Sequence, residues 1–249
     1  MAYLTNCGCL AKLIIKLSII QLSILLPSSS QRCHHVAKPD HSIDPRILES
    51  AKKEFLLYGF EKTSLKAICE SAGITTGALY KRYKGKEDLF CTVVENTVAD
   101  LNGVIEEKCA IAVEDLSDKA LVTAWEMNES MLWWFRFLYE RHDDFVLLLQ
   151  CAEGTKYTNF QHDWVEIMTG KSYEYFLEAK KRGLTHADIS IEEMHILLSA
   201  FWTTIYEPFI HGFTLEQIEA HCELICSLFN WQRVLGFPLS AEPFHCREE

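Results

Sequence analysis

The sequence predicts an all-α protein: an N-terminal three-helix head containing a helix-turn-helix, followed by a larger helical body. Three observations predict it. From residue 44 onward, apolar residues recur at three- and four-residue spacing rather than in alternation. Helix start and stop signals punctuate those runs, two capping boxes among them. No βαβ pattern, internal repeat or Gly-rich phosphate loop of the GxGxxG or GxxxxGK(S/T) kind occurs.

The first 43 residues differ in character from the rest. Leu10–Leu26 reads LAKLIIKLSIIQLSILL and runs into Pro27 and three serines. Lys12, Lys16 and Gln21 interrupt it, so its unbroken apolar stretch is too short to span a bilayer. Two readings stand. The segment is an upstream extension or disordered tail, with Val36 a candidate true start, or it is a secretory signal or membrane anchor. His34, His35 and His41 near Cys33 complete no zinc-type spacing, so no metal is expected.

Asp44 and Pro45 supply an N-cap and a first-turn proline. Ile47, Leu48, Ala51, Phe55 and Leu56 then follow helical spacing up to Gly59. Thr63 and Ser64 offer the next cap, for a short helix over about 65–71. Ala72-Gly73-Ile74 makes a tight turn, and Thr75 or Thr76 caps a third helix to about Tyr83. Two short helices about a Gly-containing turn form a helix-turn-helix, a unit that presents its second helix to the DNA major groove. The competing reading is a helical hairpin that only packs.

Charge separates the head from the body. The net charge of −11 argues, taken whole, against nucleic acid as a partner. It is unevenly spread. Arg46–Phe90 holds nine Lys/Arg against six Asp/Glu, whereas the chain from Cys91 onward holds eleven against twenty-seven. A basic segment joined to an acidic one suggests a polyanion-binding part. With 49% hydrophobic residues the chain can bury a large core, and its ten cysteines need not form a disulfide scaffold. Cys69, Cys109, Cys222 and Cys226 lie in apolar helical patterns and are read as small hydrophobes in a reducing compartment.

The body continues as helices. Lys86 to about Ala110 reads as a long helix leaving the head. Ser117 opens another, to about His142, carrying the stripe Leu121, Trp125, Asn128, Leu132, Phe135, Tyr139. A short apolar helix spans Phe145–Cys151. A longer one spans Thr155–Arg182 and closes on Lys180-Lys181-Arg182 and Gly183. Capping boxes at Ser190–Glu193 and Thr214–Gln217 open helices of about 191–211 and 215–235. No catalytic constellation or nucleophile elbow stands out, so an enzyme is not expected and no cofactor is implied.

One stretch carries a specific resemblance. Ile47-Leu48, Ala51, Phe55, Gly59-Phe60, Thr63-Ser64, Ile68, Ala72-Gly73-Ile74-Thr75, Gly77, Leu79-Tyr80, Tyr83, Lys86-Glu87 and Leu89 follow in order the pattern of the TetR family's DNA-binding head. Over about 45 residues the chain resembles these bacterial repressors. Cys69 stands where the family usually has Ala, and Tyr83 where it has Phe.

The resemblance implies a division of 1–43 extension, 44–90 DNA-binding head, 91–237 effector-binding and dimerisation domain and 238–249 tail. It implies a cytoplasmic, nucleoid-associated, ligand-responsive repressor that binds a palindromic DNA operator as a homodimer. Thr63, Ser64, Lys66, Thr75, Thr76, Gly77, Tyr80, Lys81, Arg82 and Lys86 are its expected DNA-contacting residues, with Thr76 and Gly77 near base edges and Tyr80 and Lys86 on phosphates. The dimer is expected through helices 191–211 and 215–235, using Met194, Leu198, Phe201, Ile205, Leu224, Ile225, Leu228 and Trp231. An unknown small-molecule effector is expected among Trp125, Asn128, Met131, Phe135, His162, Trp202 and Tyr206, with His195 a further polar position. The alternative function is a small-molecule-binding or membrane-attached sensor whose head no longer binds DNA.

Overall fold

The computed structural model describes residues 44–108, 112–127 and 129–237. The extension 1–43, the tail 238–249 and Asn128 lie outside the described residues. These contain α-helices, one short 3₁₀ turn and no strand. They form two compact units, 44–100 with 143–160, and 101–142 with 161–237.

In the first unit, α1 spans Asp44–Lys62, α2 Leu65–Ala72 and α3 Thr76–Tyr80. Gly59 breaks α1 at φ 74° and ψ 166°, so its last turn takes a new direction. Ile47, Ala51, Phe55 and Phe60 of α1 are buried with Ile68, Leu79 and Tyr83. Phe55, Phe60 and Phe90 meet as a triad with ring centroids 5.1–6.0 Å apart. Leu65 and Ile74 are half-buried.

α4 runs Lys86–Lys108 and α7 His142–Gln150. α7 and the turn after it pack with the head, which is therefore larger than the sequence alone suggests. The Phe60 N–H donates to Cys151 O at 2.9 Å. The Asp144 carboxylate pairs with Lys52 at 2.6 Å and accepts from the Thr97 hydroxyl at 3.0 Å. The Lys156 backbone N–H donates to Glu87 at 2.9 Å.

In the second unit, the expected single helix 117–142 is two. α5 (Asp118–Thr123) is capped by Ser117, and α6 spans Glu129–Tyr139. The chain turns at Ala124-Trp125, where Trp125 is buried against Trp231 and Phe237. No Gly or Pro marks this break, so the apolar spacing ran through it.

α8 spans Phe160–Lys181, α9 Ile191–Ile210, α10 Leu215–Leu228 and α11 Trp231–Val234. Both capping boxes form as expected, and Gly183 (φ 71°) follows the basic end of α8. The expected helix 215–235 is broken at Phe229-Asn230, where the Asn230 side chain caps α11. Pro208 inside α9 has no N–H for the Thr204 carbonyl, and His221 Nε2 on α10 meets that oxygen at 3.0 Å instead. Arg182 gathers the start of the unit by donating to Glu114 O, Leu116 O and the Asp118 carboxylate at 2.6–3.1 Å.

Candidate nucleic-acid interface

The geometry of the head follows from its caps. The Ser64 hydroxyl accepts from the Ala67 N–H at 3.1 Å, and Thr75 Oγ1 from the Ala78 N–H at 3.2 Å, so each starts its helix. Gly73 closes α2 in the left-handed region, φ 64° and ψ 40°, with its N–H on the last carbonyls of α2. A side chain there would be strained. Leu79 points inward and is fully buried, while Thr75, Thr76, Gly77, Tyr80 and Lys81 are exposed. Positions 76 and 80, and 77 and 81, are each one turn apart, so α3 presents one outward face. Tyr80 is 56% exposed, unusual for so large an aromatic ring.

Gly77 stands apart from Gly73. Its φ is not positive, and a Cβ built on it meets nothing within 4 Å. Neither backbone conformation nor packing inside the chain requires glycine there. Yet glycine costs a helix about 0.5–1 kcal/mol relative to alanine.

Three expected contact residues turn inward. Thr63 is 3% exposed, and its hydroxyl donates to Gly59 O at 2.7 Å and lies 3.0 Å from Glu54 O, fastening the kink of α1. Arg82 Nε donates to the Asp44 carboxylate at 2.7 Å and its Nη1 to Ala78 O at 3.1 Å, joining the start of α1 to α3. Asp44, read as a cap, is thus the partner of Arg82. Lys86 Nζ donates to Glu61 O at 2.9 Å and Thr63 O at 3.0 Å, above the Phe60 ring. It neutralises the carbonyl end of α1.

These three hold the helices of the head together through internal hydrogen bonds. Lys66 is 82% exposed and lies 3.7 Å from Glu70, a loose pair. Lys84, in the turn after α3, is a further exposed cation that motif reasoning did not single out. Burial and the Asp44 carboxylate raise the Tyr83 phenol above its ordinary range, so it stays neutral.

In the body, Met131, Phe135, Trp202 and Tyr206 are buried. His162 is exposed, its ring 6.1 Å from His195, which in turn meets Thr169 Oγ1 at 3.2 Å. Trp125 belongs to a different aromatic group, with Trp231 and Phe237. Among the described residues no group of three metal-ligating side chains occurs, and no helix is long and apolar enough to cross a membrane.

Residues 47–92 match the family model described as bacterial regulatory proteins, tetR family. That segment, the three-helix head, is similar to the DNA-binding head of the TetR family. An uncharacterized HTH-type transcriptional regulator, YfiR, of Bacillus subtilis (strain 168) is 27% identical over 40% of this chain and 58% of its own length. The chain thus matches less than two thirds of that relative.

Two crystal structures share the fold. A TetR-like transcriptional regulator from Rhodococcus sp. RHA1 is 17% identical, with a TM-score of 0.51 over 79% of this chain and 98% of its own. A member of the TetR transcriptional regulator family from Streptomyces coelicolor A3 is 16% identical, also at 0.51, over 80% and 94%. The family and these structural neighbours are transcriptional regulators rather than enzymes.

Proposed function

We propose that this protein is a cytoplasmic, DNA-binding transcriptional regulator of the TetR family that works as a homodimeric, ligand-responsive repressor of a palindromic operator. The observation that carries the reading is Gly77: an outward-facing helical glycine that nothing inside the chain requires. Its use lies outside the chain, in letting α3 approach a surface closely. Thr76, Tyr80 and Lys81 flank it, and a hydroxyl, a phenol and a cation are suited to groove edges and phosphates.

The dimer reading rests on a face of α9 and α10. Leu224 and Leu228 are 67% and 68% exposed and Ile196 is 66% exposed. The other six residues expected at the interface are buried within one chain, so the face is narrower than the sequence suggested. A two-fold dimer would present two α3 helices to half-sites about 34 Å apart. A ligand would release DNA only through its differential affinity for a second arrangement of the heads.

The test is a gel shift of the full chain against DNA flanking its own gene, with scrambled DNA as competitor. Specific retardation, at a stoichiometry of two chains per site, is expected. Retardation that scrambled DNA competes away equally, even at low salt, would overturn the reading.

A further inference from the structure

We propose that the indole N–H groups of Trp134 and Trp202 form the recognition element of the effector site, and that its ligand is an uncharged aromatic molecule bearing a hydrogen-bond acceptor. This rests on the ligand-responsive reading above and names the ligand class.

Three helices of one unit bring three indoles together: Trp134 from α6, Trp164 from α8 and Trp202 from α9. Trp164 lies parallel to Trp134, with centroids 6.3 Å apart at 17°. Trp202 stands edge-on to both, at 6.1 Å and 80° from Trp134 and 5.6 Å and 84° from Trp164. Tyr206 stacks on Trp202 at 5.8 Å. Trp134 and Trp202 are each 2% exposed, and neither indole N–H has a hydrogen-bond partner among the described residues.

That is not what a core needs. Phenylalanine would fill space without a polar atom, and a buried indole N–H usually finds an acceptor. Leaving such a donor unpaired in the interior is costly, and two of them meet in one cluster. The missing chemistry is specific. Indole donates and does not accept, so the complementary group is an acceptor such as a carbonyl oxygen.

Charge narrows the class. None of the buried residues of the described chain is charged, so an ionic ligand would enter this cluster uncompensated. Phe137 stacks on Trp134 at 5.3 Å and Tyr206 on Trp202 at 5.8 Å, so the surroundings of the two N–H groups are aromatic and match a planar aromatic body. The competing arrangement has each N–H directed at a neighbouring ring face, a weaker interaction that the edge-on geometry permits.

The experiment uses the full chain and two nearly isosteric probes, 2-acetylnaphthalene and 2-ethylnaphthalene, followed by isothermal titration. The ketone should bind about tenfold more tightly than the hydrocarbon, the value of one hydrogen bond from each of the two donors at the weaker end of the usual range. In Trp134→Phe and Trp202→Phe the preference should fall by a factor of about three each, with melting temperatures showing that both variants fold. Equal affinities for the two probes, no binding of either at millimolar concentration, or an undiminished preference in both variants would overturn the proposal.

The gel shift separates this from the regulatory reading. Preferential ketone binding with an undisturbed DNA complex would remove ligand-responsive release and leave the indole site standing. An intact, specific DNA complex with equal probe affinities would remove the indole site alone.

Discussion

Replacing Gly77 by alanine should move stability and DNA binding in opposite directions. Gly77 is the second residue of the five-residue α3, outside the left-handed region, and its new Cβ would meet nothing within 4 Å. The change adds no clash and removes freedom from the unfolded chain, which stabilises by about 0.4–1 kcal/mol. For a chain of this size that raises the melting temperature by about 1–4 °C.

The same methyl projects from the outward face of α3. If that helix seats in the major groove at Gly77, the methyl must displace it, and a tenfold loss of affinity corresponds to about 1.4 kcal/mol. No charge changes, so the dependence on salt should keep its slope. Gly73→Ala is the control. At φ 64° its Cβ is strained by about 1–2 kcal/mol, and the melting temperature should fall. Thermal melts by circular dichroism and gel shifts at two salt concentrations read both variants. A Gly77→Ala protein that melts lower, or that binds operator with full affinity, would refute the reasoning.

Lys86→Met should lower stability by about 1–2 kcal/mol through loss of two carbonyl contacts at the end of α1, and leave the salt slope of DNA binding unchanged. A slope shallower by about one per protomer would instead make Lys86 a phosphate ligand. Asp144→Ala strips Lys52 of its 2.6 Å partner and the buried Thr97 hydroxyl of its acceptor. A loss of about 2 kcal/mol in denaturant unfolding is expected, and an unchanged midpoint would show that α7 is not held to the head by this contact. Leu224→Glu with Leu228→Glu should turn a dimer into a monomer in sedimentation at micromolar concentration with the fold intact. A persistent dimer would place the interface elsewhere.

The head was legible because its information is local. The caps and the turn glycine each follow from a few neighbouring residues, and both stand where the local sequence put them. The roles of charged residues were less legible. Arg82 and Lys86 look outward from spacing alone, but their partners lie 38 and 25 residues away, at Asp44 and Glu61. The body was misjudged where a helix stops without a breaker. Trp125 and Phe229 end their runs through packing with distant rings, which helical periodicity cannot see. The packing of α7 with the head was invisible for the same reason: Lys52 and Asp144 are far apart in the chain.

The inward turn of these cations bounds the electrostatics of the interface. The head is basic by count, yet Lys52, Arg82 and Lys86 are engaged internally, and Lys53 and Lys66 sit in exposed pairs with Glu49 and Glu70. Arg46, Lys62, Lys81 and Lys84 are exposed and make no ion pair among the described residues. If all four met phosphates in both protomers, about eight counterions' worth of charge would be neutralised, and log K would fall with log salt at a slope no steeper than about −7. The formal count of basic residues in the head would allow twice as many. A measured slope clearly steeper than −7 would mean that Lys66, Arg82 or Lys86 leaves its internal partner on binding. A slope near zero would mean that the head does not grip a phosphate backbone at all.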